Sequence, residues 1–260
     1  MKKLGFIGMG NMGRAIAGGF ASAGVLKGSD MAAFAPRYER LKTFADSIGM
    51  EPCRSMEQLL DDSEMLLMAV KPYIVPGIIE KYGDRLEDRA IVSIAAGWDL
   101  ARYQTCLPAS ARVQYIMPNT PCQVGAGVLL FEQAGTLEPE ELETVRSWFS
   151  AIGTVEVLST AQMNAGMGLS GCGPAFIAMV VEALGDAGVR YGLPRETAYR
   201  IASQTVTGTG RLLLATGQHP GIVKDAVCSP GGTTIRGVEA LEACGVRHAF
   251  MEAVAATLKS

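Results

Sequence analysis

"KLGFIGMGNMGRAIAGGFASAG" (residues 3–24) decides the fold. "KLGFIG" reads as a buried strand opening at residue 2. It runs straight into Gly8-Met9-Gly10-Asn11-Met12-Gly13 and then into a helix, and a second strand follows at "MAAFAP" (31–36). Strand, GxGxxG, helix and strand fall in that order within about thirty residues, the context that gives the glycines meaning. Gly8 permits the tight turn, Gly10 lets the backbone approach a pyrophosphate, and Gly13 lets helix and strand pack closely. The free N–H groups of the helix start then face the phosphates. Gly8, Met9, Gly10, Asn11, Met12 and Gly13 are therefore expected to hold a dinucleotide.

Further βα units extend the pattern. "EMLLMAV" (64–70), "AIVSIAA" (90–96), "RVQYIM" (112–117), "GVLLF" (127–131) and "GTVEVL" (153–158) are apolar runs of the kind that parallel strands show when both faces are buried. Between them lie helices such as "EPEELETVRSWFSAIG", with Leu142, Val145, Trp148 and Phe149 on one face and acids in the first turn. The fold expected is α/β, an N-terminal Rossmann domain with a doubly wound, mostly parallel sheet over residues 1–158. Ligands of such sheets sit at strand ends. Three ends stand out: Ala69-Val70-Lys71-Pro72, Ala95-Ala96-Gly97 and Met117-Pro118-Asn119-Thr120-Pro121. An NAD site usually closes its second strand with an acid for the ribose 2′-OH. Here that end is Ala35-Pro36-Arg37, and a guanidinium suits a 2′-phosphate. NADP(H) is thus favoured, with NAD(H) as the alternative; the plainer role of Arg37 is to cap the next helix.

Composition removes other function classes. Hydrophobic residues make up 48% and charged residues 19% of 260, with a formal net charge of −3. No basic block marks a nucleic-acid surface. The N-terminal apolar run is broken by glycine too early for a signal peptide. The uncharged stretch from Val157 to Val181 holds four glycines between 166 and 173 and Pro174, so it reads as a buried helix junction and not a membrane span. A soluble, cytoplasmic protein without a membrane partner is expected. Six cysteines without a CxxC pair, and only two histidines, point to reduced, mostly buried thiols and no metal site.

From Thr160 onward no strand pattern appears, and residues 159–260 form the second domain, all-α. "GPAFIAMVVEALGDAGVRYG" is apolar nearly all round between Ala175 and Leu184, as in a helix buried on every side. The next helix starts near Pro194 and ends at Gly217. A core of glycine-rich helices this thin calls for interlocking with a second copy; the plainer reading is a self-sufficient bundle packed on the Rossmann domain. "CSPGGTTIRG" (228–237) interrupts the series. It lies between "HPGIVKDAVCS", with Ile222, Val223, Ala226 and Val227 turned inward, and a helix carrying Ile235, Val238 and Leu241 on one face. A glycine-bearing turn there delivers N–H groups and hydroxyls at one helix start, which suits a carboxylate; the plainer reading of Thr233 or Thr234 is an N-cap.

Classical acid–base groups are scarce, and no Lys lies between Arg146 and Lys224. This argues against a lysine-driven proton transfer and favours an acceptor that is already activated, such as a protonated imine. "FIGMGNMGRAI", "AVKP", "MPNTP", "GLSGCGPAF", "GLPRETA" and above all "HPGIVKDAVCSPGGTTIRGVEALE" resemble pyrroline-5-carboxylate reductase over nearly the whole chain. The resemblance implies reduction of 1-pyrroline-5-carboxylate to proline with NAD(P)H, the last step of proline synthesis. It implies a Rossmann domain followed by a helical dimerisation domain, hence a homodimer through the C-terminal helices, with dimers often joined into decamers of five. It places the substrate at the dimer interface, its carboxylate held by Ser229, Gly231, Gly232, Thr233 and Thr234. The ring nitrogen then meets Thr234, the catalytic hydroxyl, and the nicotinamide lies near Ala95, Ala96, Gly97 and Asn119. Two positions depart from the family pattern: Cys172 stands where many members have Ser, and Gly217 where some have Glu. The rival readings are a reductase of another cyclic imino acid and a non-catalytic NADP-binding redox sensor.

Overall fold

The apolar runs of the first half are strands because both of their faces are covered. The structure, a computed structural model, describes residues 1–258. In chain order, β1 (Lys2–Ile7) leads to α1 (Asn11–Ala23), β2 (Met31–Phe34), α2 (Tyr38–Ile48), β3 (Glu51–Pro52), α3 (Met56–Asp62) and β4 (Ser63–Met68). Then come α4 (Val75–Tyr82), β5 (Ala90–Ser93), α5 (Leu100–Gln104), β6 (Arg112–Pro118), β7 (Gly127–Gly135), α6 (Pro139–Ser150) and β8 (Gly153–Leu158). The strands form one sheet in the order β3-β2-β1-β4-β5-β6-β7-β8. Along β1, Leu4 and Phe6 enter a core with Ile16, Phe20, Leu41 and Phe149, while Ile7 enters another with Leu59, Val75 and Tyr103. The period-two alternation of a strand thus feeds two buried layers, which is why the run is apolar at successive positions.

Every strand pair is parallel except β6–β7. Residues 119–126 between them are too few for a crossover, which takes about a dozen or more. β3 was not legible as a strand: it is two residues long at the sheet edge. The expected face of α6 is seated, with Val145, Trp148 and Phe149 buried, and Phe149 meets Phe20 edge-on at 5.2 Å between centroids. The chain leaves β1 for β2 on one side, and β4 pairs on the other. The carboxyl ends of β1 and β4 therefore form the switch point where such sheets bind ligands.

Six helices follow: α7 (Thr160–Ser170), α8 (Gly173–Arg190), α9 (Arg195–Thr216), α10 (Pro220–Ala226), α11 (Thr233–Ala243) and α12 (Val246–Leu258). By packing, the chain divides into Met1–Gly171 and a second unit from Cys172 onward. α7 covers the sheet, with Met163 against Tyr115, Met117 and Leu130. The uncharged stretch passes the length and hydropathy of a membrane span, but it breaks between Ser170 and Gly173 into two helices, the first docked on the sheet.

Three expectations for burial are corrected in the single chain. The stretch from Ala175 to Leu184 is not buried all round; Met179 is 68% exposed. Ile222 and Val227, expected to face inward, are 56% and 62% exposed. A single layer of helices has nothing above it to cover its second face. The thiols, all free, are not mostly buried: only Cys53 and Cys122 are, and burial pushes each up to about 11.

Candidate active site

The loop after β1 is built around missing side chains. Gly8 has φ +95°, and a Cβ there would stand 2.7 Å from Val70 Cγ1. Its N–H donates to the Phe34 carbonyl at 2.9 Å, which closes the turn. Gly13 brings α1 against the strand ends, with Gly8 O 3.2 Å and Ala69 Cβ 3.5 Å from where its Cβ would be. Gly10 differs. Its φ is an ordinary −77°, and nothing lies within 4 Å of its absent Cβ. Neither backbone strain nor crowding within the chain demands glycine at 10; the space beside it is open. Gly10 is also the N-cap of α1 and offers no side-chain cap, so the first N–H groups of the helix stay free for an anion.

That space is a cleft of about 600 Å³ at the switch point. The structure brings Gly8, Met9, Gly10, Asn11, Met12, Arg37, Ala69, Val70, Lys71, Pro72 and Ala96 together on its wall. It does not bring Gly13, Ala95, Gly97 or Asn119 there. Ala95 is buried and its N–H donates to Ser93 Oγ at 3.3 Å, while Gly97 N–H donates to the Tyr115 hydroxyl at 3.3 Å. Ser93 Oγ and the Tyr103 hydroxyl are 2.8 Å apart. Burial pushes the Tyr103 and Tyr115 phenols up, so both stay protonated and hold the β5 end in place. Asn119 spends its amide internally: Oδ1 accepts from Val128 N at 2.8 Å and Nδ2 donates to the Ser170 carbonyl at 2.9 Å. Sequence reasoning missed Arg14, Arg40 and Ile94, all on the wall, where Thr120 of the third strand end also stands. For the arginines a signal existed: one follows the third glycine directly, and the other lies three residues beyond Arg37, on the same helical face.

The turn before α11 is a second bare-backbone element, in the helical unit. Ser229 O accepts from Gly232 N at 3.0 Å, with Pro230 second and Gly231 third at φ +68°, the pattern of a type II turn. Gly232 is the N-cap of α11 and has no side-chain cap; a Cβ there would lie 2.4 Å from Ser229 Oγ. Thr233 and Thr234 occupy the first two helical positions, so neither is the N-cap. Among the described residues, neither threonine hydroxyl has a hydrogen-bond partner, and both residues are exposed. Uncapped N–H groups, a positive helix end and two unpaired hydroxyls suit a small carboxylate with a polar neighbour.

Comparison with known proteins gives the chain a family. Residues 160–260 match the family model for pyrroline-5-carboxylate reductase dimerisation, and residues 3–97 match that for NADP oxidoreductase coenzyme F420-dependent. The chain is 40% identical over 263 residues to pyrroline-5-carboxylate reductase of Treponema pallidum (strain Nichols), covering 99% of each chain. The chain belongs to the pyrroline-5-carboxylate reductase family. The Escherichia coli (strain K12) member is 37% identical, with 97% of this chain and 94% of that one covered. In structure, the chain is similar to Plasmodium falciparum pyrroline carboxylate reductase, crystallised with NADP bound. The TM-score is 0.89 at 29% identity, with 99% and 96% covered.

Proposed function

We propose that this protein reduces 1-pyrroline-5-carboxylate to L-proline with a hydride from NAD(P)H, the last step of proline synthesis, and that NADP(H) is the preferred cofactor. The observation that carries the reading is the Ser229–Thr234 turn, where a bare helix start and two unpaired hydroxyls lie side by side in a chain of this family. The cofactor fits the residues present, because the empty space beside Gly10 and the uncapped start of α1 accept a pyrophosphate. When bound, the reduced nicotinamide supplies the hydride.

The chain's own residues bind and orient. Gly8 to Met12 hold the pyrophosphate, with Gly13 packing α1 close behind them, Arg37 the 2′-phosphate, and Ala69 to Pro72 the cofactor loop. Ala95, Ala96, Gly97 and Asn119 shape the nicotinamide end. Ser229, Gly231, Gly232, Thr233 and Thr234 take the substrate carboxylate and ring. Thr234 Oγ1 is the hydrogen-bond partner of the ring nitrogen and the group through which its proton is supplied. The ring carbon gains a hydride; a protonated ring nitrogen keeps its proton, and a neutral one takes a solvent proton relayed through the Thr234 hydroxyl, so imine becomes amine. Little acid–base power is needed, since a protonated imine is already electrophilic; orientation is the main demand.

The working assembly is a homodimer through the C-terminal helices, whose exposed apolar faces it covers, with five dimers joined as a decamer. We place it in the cytoplasm, free of membrane and nucleic acid. NADPH oxidation, followed optically with pyrroline-5-carboxylate and with its six-membered homologue, tests the function. Turnover of the five-membered ring is expected. Equal turnover of the larger ring would mark a broader imino-acid reductase, and NADPH binding without turnover a redox sensor.

A further inference from the structure

The cleft at the switch point has a charge that the rest of the chain does not. The protein is net negative at −3, yet the cleft wall carries Arg14, Arg37, Arg40 and Lys71 and no carboxylate. Among the described residues, none of the three arginines is in an ion pair. Arg37 and Arg40 sit at the positive end of α2, where cations are disfavoured; the acid of that turn, Glu39, is exposed and does not line the cleft. Arg14 rises from α1 beneath them. It donates from Nη2 to the Arg40 carbonyl at 3.2 Å and stacks over the Phe44 ring at 5.4 Å. Its Nε is buried and has no partner among the described residues. Burial, then repulsion from Arg40 and Arg37, lowers the pKa of its guanidinium. Arg14 also stands between two hollows, since it and Asn11 line a second one of about 460 Å³ with Gln123.

Three like charges gathered without a counterion are a site for a dianion. The pyrophosphate already has the bare backbone of Gly8 to Met12. What remains is a phosphate monoester, which carries about −1.5 to −2 at neutral pH and binds guanidinium forks bidentately. We propose that Arg14 and Arg40 join Arg37 as a three-guanidinium clamp for the 2′-phosphate of NADP(H), and that these two set the preference over NAD(H). The clamp rests on the dinucleotide reading of the cleft. With NAD(H) bound, the three charges would stay unbalanced; with NADP(H), all three are satisfied at once.

Titration of NADPH and of NADH into the whole protein, followed by nucleotide fluorescence, tests the clamp. Arg40→Ala, an exposed change, and Arg14→Met, which keeps the packing on Phe44, are compared with wild type. Each is expected to lower the NADPH-to-NADH affinity ratio about ten- to a hundredfold, as for loss of a charge-assisted hydrogen bond. Arg40→Lys keeps part of the ratio. The salt dependence of NADPH binding, steeper than that of NADH in wild type, flattens in Arg40→Ala. An unmoved ratio, or an equal loss for both nucleotides, overturns the clamp while leaving the cofactor reading intact. Wild type that binds neither nucleotide overturns the cofactor reading itself. Circular dichroism checks folding, and if Arg14→Met fails to fold, Arg40→Ala and Arg40→Lys decide.

Discussion

The sheet unit and the helical unit are built from similar apolar stock and bury it very differently. In Met1–Gly171, side chains such as Phe6, Ile16, Phe20, Leu59, Phe131 and Phe149 are at most 1% exposed. In α8 to α12 only Gly185, Ala198 and Ala202 are buried, while Ile177, Met179, Ile201, Leu212, Leu214 and Met251 are 46% exposed or more. Covering a side chain of that size is worth about 1.5–3 kcal/mol. The first unit carries its own core. The second carries half of one, and the proposed dimer would supply the rest. Within the unit α8 packs on α9, since Gly185 lets Tyr199 approach to where a Cβ would meet it at 2.9 Å.

The strongest way to break this contrast is to charge the uncovered face. Met179→Asp with Leu214→Asp would bury unpaired carboxylates in any interface there, each appearing twice across a two-fold. The cost is on the order of several kcal/mol per charge. Sedimentation should show loss of the dimer, and activity should vanish. Hydrogen exchange should lose protection in α8 to α12 and keep it in β1, β4 and β5. A fully assembled, active double variant would place the interface elsewhere. Next in size is Thr234→Ala. Its hydroxyl has no partner among the described residues, so stability should stay within about 0.5 kcal/mol. Turnover should fall about a hundredfold, the scale of a lost proton-transfer partner, with Thr234→Ser recovering much of it. Unchanged turnover removes Thr234 from the chemistry.

The two units also differed in how far they were legible. GxGxxG and the two-sided strands were readable because local backbone needs and a two-layer burial leave period and composition marks. The Ser-Pro-Gly-Gly turn was readable for the same reason. Hydrophobic pattern does not say which chain covers a face, so the exposure of Met179, Ile222 and Val227 was not legible. The reversed direction of β7 leaves no mark in its own residues, only in the short connection before it. Arg14 and Arg40 were missed because their convergence depends on how α1 packs on α2, and two separated arginines look like ordinary surface charge.

Two glycines sharpen the comparison with a smaller effect. Gly10 and Gly232 are both uncapped N-caps, one in each unit. Gly10 faces open space, and its φ suits any residue. Gly10→Ala should change stability by less than about 1 kcal/mol, the narrower unfolded ensemble being offset by alanine's poorer fit at an N-cap. Cofactor affinity should nevertheless fall about tenfold, because the methyl takes the place of a phosphate oxygen. Gly232→Ala meets Ser229 Oγ and should instead disturb the turn. A Gly10→Ala variant that binds cofactor normally would show that the phosphates lie elsewhere.

The smallest effect concerns how the sheet unit secures itself without help from the other. Arg112, at the start of β6, donates from Nε and Nη2 to Glu141 Oε2 and Oε1 at 2.9 and 2.7 Å, and both side chains are about a quarter exposed. Glu141 also accepts from Glu138 N at 2.9 Å, so one carboxylate caps α6 and ties it to β6. The hydrogen bonds from Arg112 hold its carboxyl below the usual carboxylate range. A folded-state pKa below the unfolded one means that the group stabilises at every pH above the unfolded value, about 4.3. That contribution fades as pH falls through the folded value. Glu141→Gln keeps an acceptor and loses the charge. At neutral pH it should cost about 0.5–1 kcal/mol by denaturant titration, the range of a partly exposed pair with good geometry. Below the folded value the gap between variant and wild type should close, since both then present a neutral group to Arg112. A gap that persists in acid would mean that shape and capping, and not charge, make this contact matter.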